Sequence, residues 1–495
     1  MKNIGNVGFL LHSQDIRRDV LIPRYYDPVL RAEVEALRGE FHLKTISDLV
    51  RDGEVVHSHG DYVPKIHYGT GPYPYVRTSD LANWEIKASP KHGVPKEVFD
   101  DYALSQQVCS EDILFVHEGT YLIGSVAMVT EFDGPMLYQH HLAKFSVKIS
   151  CPFNAYYLLV AFESPLVSRQ IRSKQFSADI IDSVVGRLEE VVIPYPKSSK
   201  TLRRLESDVK EAVNERARLR QILADSCVSL DDWLRGDSDA ETALEALDSP
   251  IRKDERRTAF LGGRRGFTSS LLPAEDVLND VLLPRYYDPV VEQLTPKYGA
   301  RCNFQTIAEL VASSLLSVDT GDEIGRLNYG TGSIPFVRTS DFGSWELKRE
   351  SKQGVSKEVF DEWAAKQDVR ADDILLVRDG TYLVGTSILV SESDLPLLFC
   401  GGIYRIRSLD HSALPPALLF ALLNSPFVRR QIRNKQFTRD VIDTLGKRLF
   451  ELLLPVPKTK SAKASIAKHF AHALSERARF RARLHRISQE LFAPS

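Results

Sequence analysis

The feature that most constrains the fold is a duplication that covers most of the chain. Six short motifs recur with a single offset of 261 residues, so that Pro23 corresponds to Pro284 and Tyr68 to Tyr329. The matched motifs are PRYYDP at 23–28 and 284–289, YGTG at 68–71 and 329–332, VRTSD at 76–80 and 337–341, KEVFD at 96–100 and 357–361, GTY at 119–121 and 380–382, and KQF at 174–176 and 435–437. The register needs no gap between about 10–223 and 271–484. Because a solenoid repeat has only ~20–50 residues, this unit is a whole domain with an appendage, present twice.

Each copy divides into an α/β part and a helical part. Short apolar runs such as Ile113–Val116, broken by Gly and turn residues, predict strands. Apolar runs that end in Ser-Pro at 164–165 and 425–426 predict the end of one helix and the start of another. The α/β part closes on apolar stretches with alternating prolines at 192–196 and 453–457. These features predict a mixed α/β, or α+β, domain in each copy.

The helical part of each copy carries a heptad pattern. Apolar residues recur at alternating spacings of three and four, at Leu202, Leu205, Val209, Ala212, Leu219 and Leu223 and again at Ile466, Phe470, Ala473, Phe480, Leu484, Ile487 and Leu491. This spacing predicts the seam of a coiled coil, interrupted at matching places by Arg216 and Arg477. We expect the two helices to pair in antiparallel orientation. The alternative is that each helix packs on its own α/β domain.

The predicted fold is therefore two duplicated α/β domains separated by an antiparallel two-helix coiled coil. The predicted segments are a first domain over 1–198, a first helix over 199–226, a linker with a short helix over 227–270, a second domain over 271–458 and a second helix over 459–495.

Charge and composition limit the classes of function. The chain has 64 Lys and Arg against 66 Asp and Glu, which argues against coating nucleic acid by bulk charge but allows a local basic patch. No run approaches the ~20 apolar residues of a membrane span, and the first residues lack a signal-peptide pattern. Five widely spaced cysteines suit a reducing compartment. We therefore expect a cytoplasmic protein that does not interact with membranes.

Motifs that carry catalytic chemistry are missing from the sequence. It contains no GxxxxGK[ST] phosphate loop, no GxGxxG, no HExxH and no GxSxG. Asp80, Asp112 and Asp182 stand in turn and cap contexts, where Asp accepts backbone N–H bonds. We expect neither catalytic nor metal-binding residues in this chain.

Taken in order, the motifs resemble the specificity subunit of Type I restriction-modification systems. The resemblance is carried by the Gly-x-Pro-aromatic stretches at 68–80 and 329–341, the Asp-Ile-Leu-x-Val runs at 112–119 and 373–380, and the proline exits into the heptad helices. It implies that each α/β domain is a target recognition domain that reads one half of a split DNA site. It also implies that the helices act as a ruler and dock DNA adenine methyltransferase subunits, with a restriction or translocase subunit as a further partner. S-adenosylmethionine is then expected on the methyltransferase, and no cofactor in this chain.

One departure from the family concerns the two domains. Family members commonly have two different recognition domains, whereas these two are close copies, so that the DNA target should be nearly palindromic. Two other classes stay open from the residues themselves. One is a single-chain DNA-modifying enzyme with degenerate motifs, and the other is a scaffold that uses the duplicated fold without binding DNA.

Candidate DNA contacts fall into two basic groups that both copies share. One group follows the glycine-rich loop and consists of an arginine, whose guanidinium group can donate two hydrogen bonds side by side, and two residues with hydroxyl groups. The other group consists of basic residues on one face of a helix. The residues are Arg77, Thr78, Ser79, Arg169, Arg172 and Lys174 in the first copy and Arg338, Thr339, Ser340, Arg430, Arg433 and Lys435 in the second. Pairing of the loop arginines with the following aspartates, and a solvated helix face, explain the same residues without DNA.

Positions at which the copies differ in polar character are candidates for reading different bases. They are His67, His117 and Gln139 in the first copy and Asn328 and Arg378 in the second.

Overall fold

The computed structural model describes residues 11–119, 122–178, 181–236, 281, 283–349, 351–380, 382–439 and 442–493. Within them, residues 11–198 are called here the first α/β repeat and residues 281–458 the second. Most of the predicted linker, from 237 to 270, lies outside the described residues.

The first α/β repeat mixes helices and strands in the order expected from its sequence. Its helices are α1 (Pro28–Ala36), α2 (Ile46–Arg51), α3 (Lys96–Gln106), α4 (Ala155–Phe162) and α5 (Pro165–Lys174). Its strands are β1 (Phe41–Thr45), β2 (Val55–His59), β3 (Tyr73–Val76), β4 (Leu81–Ala82), β5 (Glu85–Ile86), β6 (Gly93–Val94), β7 (Ile113–Val116), β8 (Glu118–Gly119), β9 (Val126–Met128), β10 (Leu137–Tyr138), β11 (Leu142–Val147), β12 (Phe176–Ala178), β13 (Ile181–Ser183) and β14 (Val192–Pro196). A long helix, α6 (Ser199–Arg235), follows directly.

The second α/β repeat follows the same order of elements. Its helices are α7 (Pro289–Tyr298), α8 (Ile307–Ala312), α9 (Lys357–Gln367), α10 (Pro416–Asn424) and α11 (Pro426–Lys435). Its strands are β15 (Cys302–Thr306), β16 (Leu316–Thr320), β17 (Ile334–Val337), β18 (Gly354–Val355), β19 (Ile374–Val377), β20 (Asp379–Gly380), β21 (Ser387–Leu389), β22 (Leu398–Phe399), β23 (Ile403–Ser408), β24 (Phe437–Arg439), β25 (Ile442–Thr444) and β26 (Leu453–Pro457). The second long helix is α12 (Lys460–Glu490).

Local sequence explains where several helices begin. Asp27 accepts the N–H groups of Val29 and Leu30 and precedes a proline at the first position of α1, and Asp288 caps α7 in the same way. The Ser-Pro pairs act as predicted, since Ser164 begins α5 and Ser425 begins α11, each by accepting an N–H group of the first turn. Each Ser-Pro pair therefore starts a new helix after a break of two residues in the first repeat and one residue in the second.

The two α/β repeats form matching sheets. A four-stranded antiparallel sheet has the order β2-β11-β7-β9 in the first repeat and β16-β23-β19-β21 in the second. Beside it lie β10-β3-β6 and β22-β17-β18, in which β10 and β22 run parallel to their neighbours. The apolar helices α4 and α10 are buried along their whole length. The mixed α/β fold predicted for each copy is confirmed.

The long helices differ from their predicted ends. Helix α6 begins at Ser199 but continues to Arg235, so the predicted end at 226 is too early and the first residues of the predicted linker are helical. The reason is packing, because Leu230 and Leu234 are buried and Asp231 is bonded to the second repeat. Among the described residues, no helix is long and apolar enough to cross a membrane.

The chain divides into two compact units, and each long helix passes from one unit to the other. One unit contains the first α/β repeat, α6 up to Ala217 and the chain from Arg479 onward. The other contains the second α/β repeat, α6 from Arg218 and α12 up to Ala478.

In the unit of the first repeat, the end of α12 runs against the beginning of α6. The Arg483 guanidinium bonds Glu211 at 2.8 Å and Asp208 at 3.0 Å. Beyond the end of α12, Phe492 packs beside Val192, on the strand that leads into α6. The two chain segments are therefore antiparallel.

In the unit of the second repeat, the end of α6 runs against the beginning of α12. Ser226 Oγ lies 2.9 Å from His469 Nε2. The carbonyl of Leu234 lies 4.0 Å from Cys302 Sγ, and Cys302 pairs with Pro457 on the strand that leads into α12. The antiparallel pairing is thus confirmed in each unit, and each helix ends on the other α/β repeat rather than on its own.

The two α/β repeats bind the ends of the long helices through residues of different chemistry. We call these two binding places sockets: the first holds Phe492, which follows α12, and the second holds Asp231, near the end of α6. The first socket is apolar: Phe492 packs on the cluster of Leu30, Val34 and Leu166, against which Leu37 and Leu43 also pack, and its ring lies 5.5 Å from that of Phe41. In the second socket, the buried Asp231 accepts the Tyr298 hydroxyl at 3.0 Å and the Phe427 N–H at 3.2 Å. Asp231 corresponds to Phe492, and Tyr298 to Leu37, at the offset of the duplication. Both positions therefore differ between the repeats: one repeat has an aspartate and a tyrosine where the other has a phenylalanine and a leucine.

Candidate nucleic-acid interface

The glycine-rich loop forms the same exposed turn in both repeats. Lys65–His67 and Arg326–Asn328 are single 3-10 turns, which place Ile66 and Leu327 at their tips. The threonine that follows closes each loop, since Thr70 Oγ1 donates to the His67 carbonyl at 2.7 Å and Thr331 Oγ1 to the Asn328 carbonyl at 2.9 Å. The loop is therefore a fixed projection.

A close backbone contact explains one glycine of this loop. A Cβ atom at Gly71 would lie 2.3 Å from the Val94 carbonyl oxygen, and one at Gly332 would lie 2.3 Å from that of Val355. Only glycine lets the loop pack against β6 and β18 at this distance.

The loop arginines lie over tyrosine rings. The guanidinium carbon of Arg77 is 5.7 Å from the ring centre of Tyr68, and that of Arg338 is 5.8 Å from Tyr329. Arg77 Nε also donates to Gln139 Oε1 at 3.2 Å, a contact that Cys400 cannot replace in the second repeat. Both arginines are partly exposed, so their remaining N–H groups can reach a ligand.

The buried aspartates after these arginines organise the backbone. Asp80 accepts the N–H groups of Arg77 and Lys91 at 3.0 and 3.4 Å, and Asp341 accepts those of Arg338 and Lys352 at 2.9 and 3.5 Å. Burial raises the pKa of both carboxyl groups. The aspartates thus hold the turn that carries the four predicted hydroxyl residues, Thr78, Ser79, Thr339 and Ser340, all of them partly exposed.

The predicted basic helix face divides into exposed and enclosed residues. Arg172 on α5 and Arg433 on α11 are exposed at matching positions. Arg169 pairs with Glu33, and Arg430 Nε bonds Asp288 at 2.5 Å, with about half of each arginine side chain exposed. These four guanidinium groups are accessible to a phosphate row.

The two lysines of the same face are enclosed, and their role as DNA contacts stays a prediction. The Lys174 side chain is only 13% exposed, and its Nζ lies 3.3 Å from Glu190 and 4.8 Å from the centre of the Tyr25 ring. Lys435 repeats this arrangement, 2.7 Å from Glu451 and 4.5 Å from the Tyr286 ring centre. Burial lowers the pKa of Lys174. These lysines tie the end of α5 or α11 to neighbouring segments, which leaves little of either side chain exposed.

The candidate base-reading residues have different surroundings. His67 and Asn328 are partly exposed on the loop turn, and Asn328 Nδ2 donates to the Ile324 carbonyl at 2.6 Å. Gln139 is buried and acts through Arg77. Arg378 is partly exposed and bonds Asp379 at 2.6 Å. These four residues can still influence a bound base, either directly or through a neighbour.

His117 is enclosed in this arrangement, and its role in base reading stays a prediction. It is 3% exposed, and its Nε2 lies 2.9 Å from the His140 carbonyl and 3.3 Å from His59 Nδ1. The difference between the two copies marked the position as variable but could not show that the residue after β7 is buried.

His117 belongs to a cluster of five histidines in the first repeat. The ring centres of neighbouring histidines lie 4.0–4.8 Å apart in the pairs His57–His59, His59–His117 and His140–His141. His57 also stacks on Phe145, and His141 Nδ1 lies 2.7 Å from Glu118. Within the described residues, no group of His, Cys, Asp and Glu has the arrangement needed to hold a metal ion. The alternation of His57 and His59 on one strand was the available sequence signal.

The equivalent place in the second repeat is a cavity. The five histidines correspond to Val318, Thr320, Arg378, Gly401 and Gly402. A cavity of about 440 Å³ opens there, lined by Val318, Asp319, Thr320, Arg378, Tyr404, Gly446, Lys447 and Phe450. This is where the two repeats differ most in chemistry.

Lowering the pH from 7 to 4.5 should destabilise the first repeat more than the second. Burial lowers the pKa of His57 and of His117 to about 4, from 6.5. The unfolded chain then binds more protons between about pH 6.5 and 4, so stability falls as the pH falls, by on the order of 3 kcal/mol for each histidine. Urea unfolding at several pH values measures this loss. The variant His57→Val, which copies Val318, should show a weaker pH dependence, and an unchanged dependence would contradict the explanation.

Comparison with known proteins finds similarity to solved structures of Type I restriction-modification proteins. No protein-family model and no curated protein matches the chain. Three solved structures match 92% of the chain: the S subunit of a Type I restriction-modification system from M. genitalium (12% identity, 96% of its chain, TM-score 0.31), a structure of complex assembly and conformational transition of the type I R-M system (13%, 96%, 0.25), and the HsdS subunit from Thermoanaerobacter tengcongensis (13%, 95%, 0.24).

The S and HsdS subunits are the class of protein that the sequence motifs resemble. At these identities and TM-scores, function is inferred from the chain's own residues.

Proposed function

We propose that this protein is the DNA-recognition, or specificity, subunit of a restriction-modification or related phage-defence methylation system. The observation that carries the proposal is a set of exposed or partly exposed arginines that recurs at equivalent positions in both α/β repeats. The set comprises the loop arginines Arg77 and Arg338 and the helix-face arginines Arg172 and Arg433. Guanidinium groups suit both phosphate oxygens and guanine edges, so these residues can hold a duplex and read it.

Two copies of one binding surface predict a target in two parts. Because the loops and arginines are nearly the same in both repeats, the two half-sites should be similar, and the whole site nearly palindromic with a spacer. His67 and Asn328 are the exposed loop positions at which the half-sites are most able to differ.

Chemistry on the DNA is assigned to partner chains. We propose that DNA adenine methyltransferase subunits, which supply S-adenosylmethionine, dock on this protein, and that a restriction or translocase subunit is a further partner. The protein's own role is then to select the site and to hold the partners there.

Selection from a random duplex pool tests the proposal directly. The full chain, with and without a methyltransferase from a neighbouring gene, should enrich two similar half-sites at a constant separation. Enrichment of one continuous site would contradict the two-part model. Binding of S-adenosylmethionine by the chain alone would favour a single-chain enzyme, and the absence of any enrichment in either condition would favour a scaffold.

The arginines of the helix face should contribute affinity without sequence preference. Replacing Arg172 and Arg433 together by Ala should weaken binding evenly across sequences and reduce the salt slope by about one for each phosphate that is no longer neutralised. The matched control is Arg38→Ala, an arginine whose side chain is 64% exposed and paired with Glu35 outside the candidate surface. A changed sequence preference with an unchanged slope would show that these arginines read bases instead.

A further inference from the structure

The tips of the two glycine-rich loops carry large apolar side chains in water. Ile66 is 79% exposed and Leu327 is 94% exposed, and they occupy equivalent positions in the duplication. Single exposed apolar residues are ordinary on protein surfaces. Here the exposure is repeated, whereas exposed Leu104 and Ile149 correspond to Ala365 and Asp410.

The loop tips of the two repeats have the same chemical character, although their residues differ. Five consecutive residues differ between the repeats, Val63–His67 against Ile324–Asn328. Through these changes the tip keeps an aliphatic side chain preceded by an exposed cation, Lys65 or Arg326. A purely structural turn would need neither group, because neither is buried.

Each tip stands on a rigid base. The N–H of Gly69 donates to the Gly93 carbonyl at 2.8 Å, and that of Gly330 donates to the Gly354 carbonyl at 2.8 Å. The tyrosine next to the tip is packed against rings behind it, with Tyr68 4.7 Å from His92 and Tyr329 5.3 Å from Phe336. A projection that is already ordered loses little conformational entropy when it enters a ligand.

We propose that Ile66 and Leu327 are wedges that insert between base pairs of a bound duplex, one in each half-site. This inference rests on the proposed function. Proteins that kink DNA insert aliphatic or aromatic side chains into a base step from the minor groove, and cations beside the wedge contact the flanking phosphates. Both repeats have this combination: Lys65 or Arg326 before the tip, and Arg77 or Arg338 over the tyrosine after it.

The proposal gives the two repeats a way to discriminate sequences without hydrogen bonds. Pyrimidine–purine steps unstack most easily, so wedge insertion favours such a step at a constant place in each half-site. The two half-sites should then share that step even where their other bases differ.

The test uses duplexes that carry the selected site and a fluorophore at each end. The original full-length chain should bend them, measured as increased energy transfer, by an angle within the ~20–90° range of known wedges. The variant with Ile66→Ser and Leu327→Ser should lose the bend and bind at least about tenfold more weakly, since each wedge forfeits the burial of an aliphatic side chain. Each single variant should lose the footprint of one half-site.

The matched control replaces two equally exposed apolar residues elsewhere, Leu104→Ser and Ile149→Ser, and should bend and bind as the original does. If the original chain selects and bends a site and the tip variant does so equally, or if the original binds without bending, the wedge is wrong and the proposed function stands. If the tip variant bends DNA normally but no longer binds a methyltransferase subunit, the tips serve a protein partner and the wedge is wrong. If the original selects no site, both inferences fail.

Discussion

Replacing Arg216 by Met should lower the free energy of unfolding by about 3–5 kcal/mol, because it removes a buried cation that lies beside a buried carboxylate. Arg216 on α6 is fully buried, and its Nη2 lies 3.2 Å from Glu85 Oε2 in the first repeat, where only 6% of the Glu85 side chain is exposed. The same guanidinium lies 3.4 Å from the Asn83 carbonyl. Urea unfolding of the full chain measures the loss.

Two companion variants make this test specific. Removing both charges, with Arg216→Met and Glu85→Leu, should recover most of the stability, since a buried ion pair replaced as a whole by apolar groups costs little. Arg203→Met, an exposed arginine on the same helix, should change the stability by no more than about 0.5 kcal/mol. Equal losses for the single and double variants would show that packing of the arginine stem, and not its charge, supports the helix.

Replacing Asp231 by Phe should detach the end of α6 from the second repeat. We expect the free energy of unfolding to fall by about 2–4 kcal/mol. The Tyr298 hydroxyl and the Phe427 N–H would both lose their acceptor in a buried site, and a ring would enter space shaped for a carboxylate. Protease sensitivity of the helix end and the urea midpoint both report the change.

The decisive variant places the residues of the first socket into the second. Adding Tyr298→Leu to Asp231→Phe copies Phe492 and Leu37, which pack against one apolar cluster in the first repeat, and should recover part of the lost stability. The control Asp232→Phe changes the neighbouring residue, whose side chain is 42% exposed, and should have little effect. If the double variant is no more stable than Asp231→Phe alone, the two sockets are not interchangeable in the way their residues indicate.

The two sockets explain how the duplicated chain avoids pairing each helix with its own repeat. A helix end that carries Asp231 meets a hydroxyl and an N–H in the second repeat, but would meet Leu37 and Phe41 in the first. The carboxylate would then be buried without the Tyr298 hydroxyl and the Phe427 N–H, which is costly, although Arg235 on the same helix, 3.4 Å from Asp231, would accompany it. The difference between the sockets therefore favours the observed exchange of helix ends.

Part of the candidate site was predictable from local patterns. The glycine-rich loop, its arginine and the following aspartate share one short motif, so their proximity needs no long-range information, and all three lie together in both repeats. The arginines of the helix face were predictable for the same reason, because residues three apart share a face of a helix. The enclosure of Lys174 and Lys435 was not predictable because their partners, Glu190 and Glu451, come from a segment that follows later in the chain.

The amino-acid sequence by itself determined the duplication, the mixed α/β class, the Ser-Pro helix starts and the heptad seam, since each depends on residues that are close in sequence. Only the tertiary structure decided where α6 ends, which repeat receives each helix end, that Arg216 pairs with Glu85, and that His117 is buried while Ile66 and Leu327 are exposed. Those outcomes depend on which distant residues supply a donor, a counter-charge or an apolar wall. The same side chain is stable in the core or in water according to whether such a partner is present.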